Sequence, residues 1–197
     1  MWLNGLDFKA AAAWLTNAPM PTKPLLKRTP SPKIQAAQTL ANQRKFAAIA
    51  KTANKRLFND NDKEAEAGRS YLEVERKILP QSWLAFGLGF KPDVLLPGTK
   101  RGQVAPAIVI PWVRGGQVCA LRYRFLQHHK YIEPDGNKID AKQTSEYGSV
   151  FAGVFFGGQV IGTNVPSRST VIVCEGEMND ISIWQESPGM RLDVLSI

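Results

Sequence analysis

The sequence is poor in the residues that build zinc sites and disulfides. It has two cysteines and two histidines in 197 residues, and because they form no cluster we expect no zinc site. Cys119 and Cys174 lie far apart in separate apolar runs, which predicts reduced thiols and a cytoplasmic location. His128 and His129 are adjacent and are expected to be a solvated pair.

Long apolar runs and phosphate-binding loops are also missing from the sequence. No stretch is apolar enough for long enough to span a bilayer, and no signal peptide is recognisable. No loop of the Gly-Lys-Ser type is present, which argues against an ATP motor. We therefore expect no membrane partner.

Acidic residues are absent between Lys23 and Arg56, although the stretch is rich in lysine and arginine. The whole chain has a net charge of +8, which favours a polyanionic partner. A solvated surface helix normally carries both signs, so this stretch is predicted to contact phosphates. The alternative is a soluble, mobile tether.

The first part of the chain has the periodicity of helices. Helices are predicted over Leu6–Thr16, from about Lys33 to Phe58, from about Asp62 to Lys77 and from Pro80 to Gly87, with a proline-rich linker after the first. Asn61 or Asp62 is expected to cap the third of these helices, and Ser82 the fourth.

The period changes to that of strands after residue 98. Ala107–Val113 and Val118–Phe125 are predicted to form a hairpin around Arg114–Gln117. Pro111 cannot donate to a strand ladder, so it is expected at an edge or a bulge. Further strands are predicted around 150–160.

Acidic side chains crowd at the end of an apolar run near the C-terminus. Val171–Val173 reads as a buried parallel strand, and Glu175, Glu177 and Asp180 follow it. A helix to Gln185 and a strand from Leu192 would complete a βαβ unit. Like charges at the carboxyl end of a strand favour a hard cation such as Mg²⁺, although an acidic first helical turn is the simpler interpretation.

Six short blocks spread over most of the chain carry a resemblance to a known family. They are Tyr71-Leu72 with Arg76 and Ile78, Phe86 to Phe90, Ile108 to Pro111, Gly116-Gln117-Val118 with Arg122-Tyr123-Arg124, Lys130-Tyr131, and Glu175-Gly176-Glu177. In this order and spacing they resemble the catalytic core of bacterial-type DNA primases, including their phage and plasmid relatives.

The resemblance implies a mixed α/β fold class in three parts. A helical, proline-rich and basic segment would occupy residues 1–58. A basic mixed α/β primase subdomain would occupy residues 59–168. The first βαβ unit of a toprim domain would occupy residues 169–197.

The resemblance also implies a function, which is synthesis of an RNA primer on single-stranded DNA by nucleotidyl transfer during DNA replication. The expected partners are the template strand and ribonucleoside triphosphates, with a replicative helicase as an additional candidate. The residues expected to bind nucleic acid or nucleotide are Arg122, Arg124, Lys130 and Tyr131.

The acidic turn supplies the expected catalytic residue. Glu175 matches the first toprim glutamate, which implies a role in catalysis and as a ligand of Mg²⁺ or Mn²⁺. Asn179 stands where the family has an aspartate, so Asp180 is the other expected ligand. The family's Asp-x-Asp motif would lie beyond Ile197, and its zinc-binding cysteines would precede Leu6. We therefore expect a truncated core that makes no primers by itself.

Two other functions are compatible with the residues. One is a non-catalytic module that binds single-stranded nucleic acid, with Trp112 and Tyr123 as stacking surfaces or, alternatively, as packing within the hairpin. The other is a different toprim protein such as a nuclease, which would share Glu175 but would not need the hairpin.

Overall fold

The computed structural model describes residues 32–99, 102–132, 136–160, 170–187 and 192–196. The chain divides into two compact units, Met1–Ala37 and Gln38–Ile197. The expected helix at Leu6–Thr16 and the proline-rich linker lie outside the described residues. The predicted three-part division of the chain stays a prediction.

Three helices precede the sheet. They are α1 (Pro32–Leu57), α2 (Lys63–Ser70), which continues into a π-helical turn (Tyr71–Glu75), and α3 (Pro80–Phe86). Asp62 caps α2 by accepting a hydrogen bond from the Ala65 N–H at 3.1 Å, which confirms that prediction. None of the described helices is both long enough and apolar enough to cross a membrane.

The predicted cap of α3 is wrong. Ser82 lies inside the helix, fully buried, and its hydroxyl donates to Gln185 Oε1 at 3.1 Å. The helix instead begins at Pro80, whose fixed φ suits a first helical position and whose missing N–H needs no cap. The end of α3 is as predicted, since Gly87 adopts a left-handed conformation there.

A four-stranded antiparallel sheet follows in the order β1-β2-β3-β4. Its strands are β1 (Gly89–Leu95), β2 (Val104–Arg114), β3 (Gln117–Ile132) and β4 (Lys138–Ser145). The predicted hairpin is confirmed as the central β2–β3 pair, with both strands longer than expected. The outer strands escaped prediction because Pro92-Asp93 interrupts β1 and because β4 is mostly polar.

Pro111 occupies the edge position that its missing donor requires. β1 pairs with β2 only as far as Val109, so among the described strands only β3 pairs with Pro111. The predicted strands around 150–160 are wrong. That stretch forms turns, a short 3₁₀ turn at Gly158–Val160 and one isolated bridge from Phe156 to Ser196.

The C-terminal βαβ unit is present as predicted, but the expected burial of its first strand is wrong, because Val171 and Val173 are more than half exposed. It consists of β5 (Thr170–Cys174), α4 (Glu177–Gln185) and β6 (Leu192–Ser196), with β5 parallel to β6. Cys119 and Cys174 are free thiols on β3 and β5, as expected. Together with the antiparallel sheet, this unit confirms the mixed α/β class.

The antiparallel sheet buries both of its faces. On one face, Phe46 and Ala53 of α1 pack in a cluster with Val109 and Tyr123. On the other face, α3 and α4 contribute to a second cluster that includes Trp112 and Phe156. Because strand residues alternate between faces, the even-numbered arginines of β3 point to the second face, toward the βαβ unit.

Candidate active-site cleft

A cleft of about 380 Å³ lies where the Glu-Gly-Glu turn meets the second face of the sheet. The sheet contributes Ile110, Arg124 and Gln143, and the last two are paired across β3 and β4. The βαβ unit contributes residues 175–179, and Arg76 enters from the end of the π-helical turn. The cleft therefore gathers groups from five separate segments of the chain.

The turn at Gly176 places Glu175 in this cleft. β5 ends at Cys174, and Gly176 has a φ of +89°, a conformation that side chains disfavour and that reverses the chain before α4 begins. The Asn179 amide donates to the Glu175 carbonyl oxygen at 2.9 Å and so fixes the turn. Glu175 is exposed, at the carboxyl end of a parallel strand where α/β proteins bind ligands.

Two guanidinium groups share the cleft with Glu175. Arg76 is oriented by Tyr71: its Nε donates to the Tyr71 hydroxyl at 2.9 Å, and its guanidinium lies 5.2 Å from the centre of the Tyr71 ring. Arg124 has no hydrogen-bond or ion-pair partner among the residues that the structure describes. Its guanidinium is therefore available to a phosphate.

Arg122, also predicted to contact nucleic acid, forms an internal ion pair, and its contact with nucleic acid stays a prediction. Its Nε lies 3.1 Å from Glu177 Oε1, an ion pair in which the N–H does not point at the oxygen. The guanidinium lies 4.5 Å from the Phe151 ring centre and 5.5 Å from that of Trp112. The Trp112 indole N–H donates to the same Glu177 oxygen at 3.1 Å, and Glu177 is 6% exposed.

Lys130 and Tyr131 do not line the cleft. They lie six and seven residues beyond Arg124 on β3, roughly 20 Å along the strand. Lys130 is exposed opposite Asp140, and the Tyr131 hydroxyl donates to Gln103 Oε1. Their role in binding nucleic acid stays a prediction.

Trp112 and Tyr123 are packing residues rather than stacking surfaces. They are 3% and 2% exposed, in the clusters on opposite faces of the sheet. The Tyr123 hydroxyl donates to Glu146 at 2.6 Å, and burial raises the pKa of Tyr123. Nucleobases cannot reach either ring in this structure.

Asp180 is buried outside the cleft. Its side chain is fully enclosed, and among the described residues neither carboxyl oxygen has a hydrogen-bond partner. A Cβ at Gly157 would come within 2.7 Å of Oδ2, so the backbone there packs directly on the carboxyl group. Asp180 does not line the cleft that contains Glu175, and its role as a metal ligand stays a prediction.

The described residues alone do not complete a metal site. They contain no group of three histidine, cysteine, aspartate or glutamate residues close enough to hold an ion. Glu175 and the amide oxygen of Asn179 could supply two oxygen ligands, and Mg²⁺ commonly takes one or two carboxylates together with substrate phosphates. Glu175 as a metal ligand stays a prediction.

The buried Asp180 carboxyl predicts a pH-dependent stability. Burial, and then the nearby Glu177 charge, raise the pKa of Asp180 to about 8. The folded state therefore binds the proton more tightly than the unfolded state, and stability is lost as the pH rises. We expect the free energy of unfolding to fall by roughly 1 kcal/mol per pH unit between pH 5 and 7 and to level off above pH 8.

An Asp180→Asn variant tests this expectation because it keeps the shape and removes the titration. Urea unfolding of the wild type and the variant across that pH range should show the slope in the wild type only. Equal slopes in the two proteins would show that Asp180 does not titrate in this way.

Two polar residues that line the cleft, Gln143 and Arg76, were not among the predicted site residues. Gln143 was missed because β4 itself was missed, and its register opposite Arg124 becomes visible only once the strands pair. Arg76 belongs to one of the primase-like blocks, but the π-helical turn that directs it into the cleft has no clear sequence signature. Both are polar groups that can orient a phosphate or a base.

Solved structures with a similar fold include primase catalytic cores. The chain is similar to a DnaG primase catalytic domain bound to single-stranded DNA, with a TM-score of 0.59 and 15% identity over 82% of this chain and 56% of that chain. The Escherichia coli primase catalytic core has a TM-score of 0.57 and 14% identity, over 78% of this chain and 53% of that chain. The RNA polymerase domain of Mycobacterium tuberculosis DnaG has a TM-score of 0.54 and 18% identity, over 78% of this chain and 55% of that chain.

These similarities concern the fold. No family model matches the sequence, and no curated protein matches it. The chain spans little more than half the length of the primase structures. The expected primase-core fold is confirmed, and the toprim assignment and the phage or plasmid type remain predictions.

Proposed function

We propose that this chain is part of a primase core that synthesises RNA primers on single-stranded DNA. The observation that carries the proposal is the cleft in which the exposed Glu175 lies with Arg76 and Arg124, within a fold shared with primase catalytic domains. On this proposal, β5-α4-β6 is the first βαβ unit of a toprim domain.

The groups of the cleft suit phosphoryl transfer. A carboxylate can hold a divalent cation, and guanidinium groups neutralise phosphate oxygens as negative charge shifts in the transition state. Mg²⁺ or Mn²⁺, when bound, would activate the attacking hydroxyl and polarise the triphosphate. The protein's own contribution is to place Glu175 at one wall and Arg124 at the other.

Catalysis requires more carboxylates than the described cleft contains. Glu177 is committed to Arg122 and Trp112, and Asp180 is buried elsewhere, so Glu175 is the only free carboxylate among the described lining residues. We therefore expect these 197 residues alone to bind template strand without making primers. A replicative helicase and ribonucleoside triphosphates are partners of the proposed complete enzyme.

Binding to single-stranded DNA tests the proposal. We expect fluorescence anisotropy with a labelled oligothymidylate to show an affinity that falls steeply with salt, with a log–log slope of roughly −0.7 per phosphate contacted. Arg124→Gln should weaken binding about fivefold to tenfold at 0.1 M salt. It should also make the log–log slope shallower by the amount that corresponds to about one phosphate contact.

The matched control is Lys63→Gln, which removes one positive charge from the exposed start of α2 and does not touch the cleft. It should leave the affinity nearly unchanged. If both variants bind as the wild type does, the cleft is not the template site; equal losses would mean that only net charge matters.

A further inference from the structure

The two ends of α4 are anchored to different parts of the fold. At its C-terminal end, Gln185 accepts from the Leu79 N–H at 2.7 Å and donates to the Lys77 carbonyl oxygen at 3.0 Å. At its N-terminal end, Glu177 reaches the sheet through Trp112 and Arg122. The second anchor is the one next to the cleft.

The contacts of Glu177 with Arg122 and Trp112 depend on direction, unlike simple apolar packing. A buried ion pair offsets its desolvation penalty only partly, and apolar residues of similar size often give equal or greater stability. Here the guanidinium lies near two rings, Phe151 and Trp112, which themselves meet edge to face with centres 4.9 Å apart. The rings, the indole N–H and the charges together favour one relative position of α4 and β3.

Each residue of the anchor lies two residues from a residue of the cleft, both on β3 and at the Gly176 turn. Arg124 follows Arg122 by two residues on β3, so both point to the same face of the sheet. Glu175 precedes Glu177 by two residues across the Gly176 turn. Fixing Arg122 to Glu177 therefore fixes the wall that bears Arg124 relative to the turn that bears Glu175.

We propose that Arg122 and Glu177 are positioning residues, whose buried pair sets the separation of Glu175 and Arg124 across the cleft. The functional meaning of that separation rests on the proposed function, whereas the positioning itself does not. The predicted role of Arg122 as a nucleic-acid contact stays untested beside this proposed internal role.

Variants that separate stability from position provide the test. Arg122→Met leaves the Glu177 charge buried without a counter-ion, so its urea midpoint should fall sharply. Arg122→Met combined with Glu177→Gln removes both charges and keeps an acceptor for the Trp112 N–H, so most of the midpoint should return. Lys45→Met breaks an ion pair with Glu146 outside the cleft and is the matched control.

Hydrogen exchange of residues 175–181 reports the position of the turn. The Asn179 and Asp180 N–H groups donate to the Gly176 carbonyl oxygen at 3.1 and 3.3 Å. These hydrogen bonds slow the exchange of the two amides as long as the turn keeps its position. In the double variant we expect these amides to exchange about tenfold faster than in the wild type, although the midpoint has recovered, and oligothymidylate binding to weaken. The Lys45→Met control should match the wild type in this segment.

Each outcome decides one point. If the double variant recovers both its midpoint and the slow exchange of this segment, the pair is merely structural and the inference is wrong. Unchanged exchange in Arg122→Met would also overturn it. A wild-type chain that binds no oligothymidylate would defeat the proposed function, while the exchange measurement would still decide the positioning role.

Discussion

Glu175→Gln is expected to abolish primer synthesis, by roughly 10³-fold or more, in any form of this protein that makes primers. The substitution keeps the shape of the exposed side chain in the cleft and removes the charge that a divalent cation requires. Affinity for single-stranded DNA should not fall, because Glu175 is a negative group beside the arginines that we propose to bind phosphate. Primer yield on a single-stranded template and anisotropy with the same oligonucleotide measure the two effects.

Glu186→Gln is the matched control for this variant. Glu186 is an exposed glutamate just after the other end of α4, and it does not line the cleft. It should leave primer synthesis unchanged. Full activity of Glu175→Gln would show that Glu175 is not the metal carboxylate, and an equal loss in both variants would point to a general effect of charge.

Gly89→Ala is expected to destabilise the fold by about 3 kcal/mol. A Cβ at Gly89 would lie 2.6 Å from the backbone carbon of Ala53 and the backbone nitrogen of Asn54, so α1 would have to move away from β1. The side chain of Asn54 resists that movement, since its amide donates to the Leu88 carbonyl oxygen at 2.7 Å. Urea unfolding monitored by circular dichroism measures the loss.

Gly158→Ala serves as the control for the glycine prediction. The nearest atom to a Cβ at Gly158 is the Val113 carbonyl oxygen at 4.0 Å, so the added methyl group has room. We expect a change within about 0.5 kcal/mol. Equal stability of the Gly89→Ala and wild-type proteins would show that α1 does not press on β1 as described.

The fold was predictable from sequence where local signals agree. Asp62 as a cap, Gly87 as a helix end, the Arg114–Gln117 hairpin turn and the βαβ unit each combine a turn or cap signal with a clear hydrophobic period. Pro111 was placed at an edge because its missing N–H allows little else. These features depend on residues close in sequence.

The site was less predictable because its contacts are long-range. Glu175 and Arg124 were predicted as site residues, and both line the cleft. Arg122 lies on the same strand and has the same charge as Arg124, but it faces Glu177. Nothing near Glu177 in sequence shows that the distant Arg122 will form an ion pair with it. The burial of Asp180 likewise depends on Gly157, in a stretch that was mistaken for strands.

Hydrogen exchange with and without oligothymidylate tests most directly whether the cleft is the template site. The account predicts slower exchange on binding in two segments, residues 122–125 with 143 and residues 175–180, because these form the two walls of the cleft. Protection confined to the basic helix α1, with the cleft segments unchanged, would contradict the account and favour a binding module that does not use Glu175.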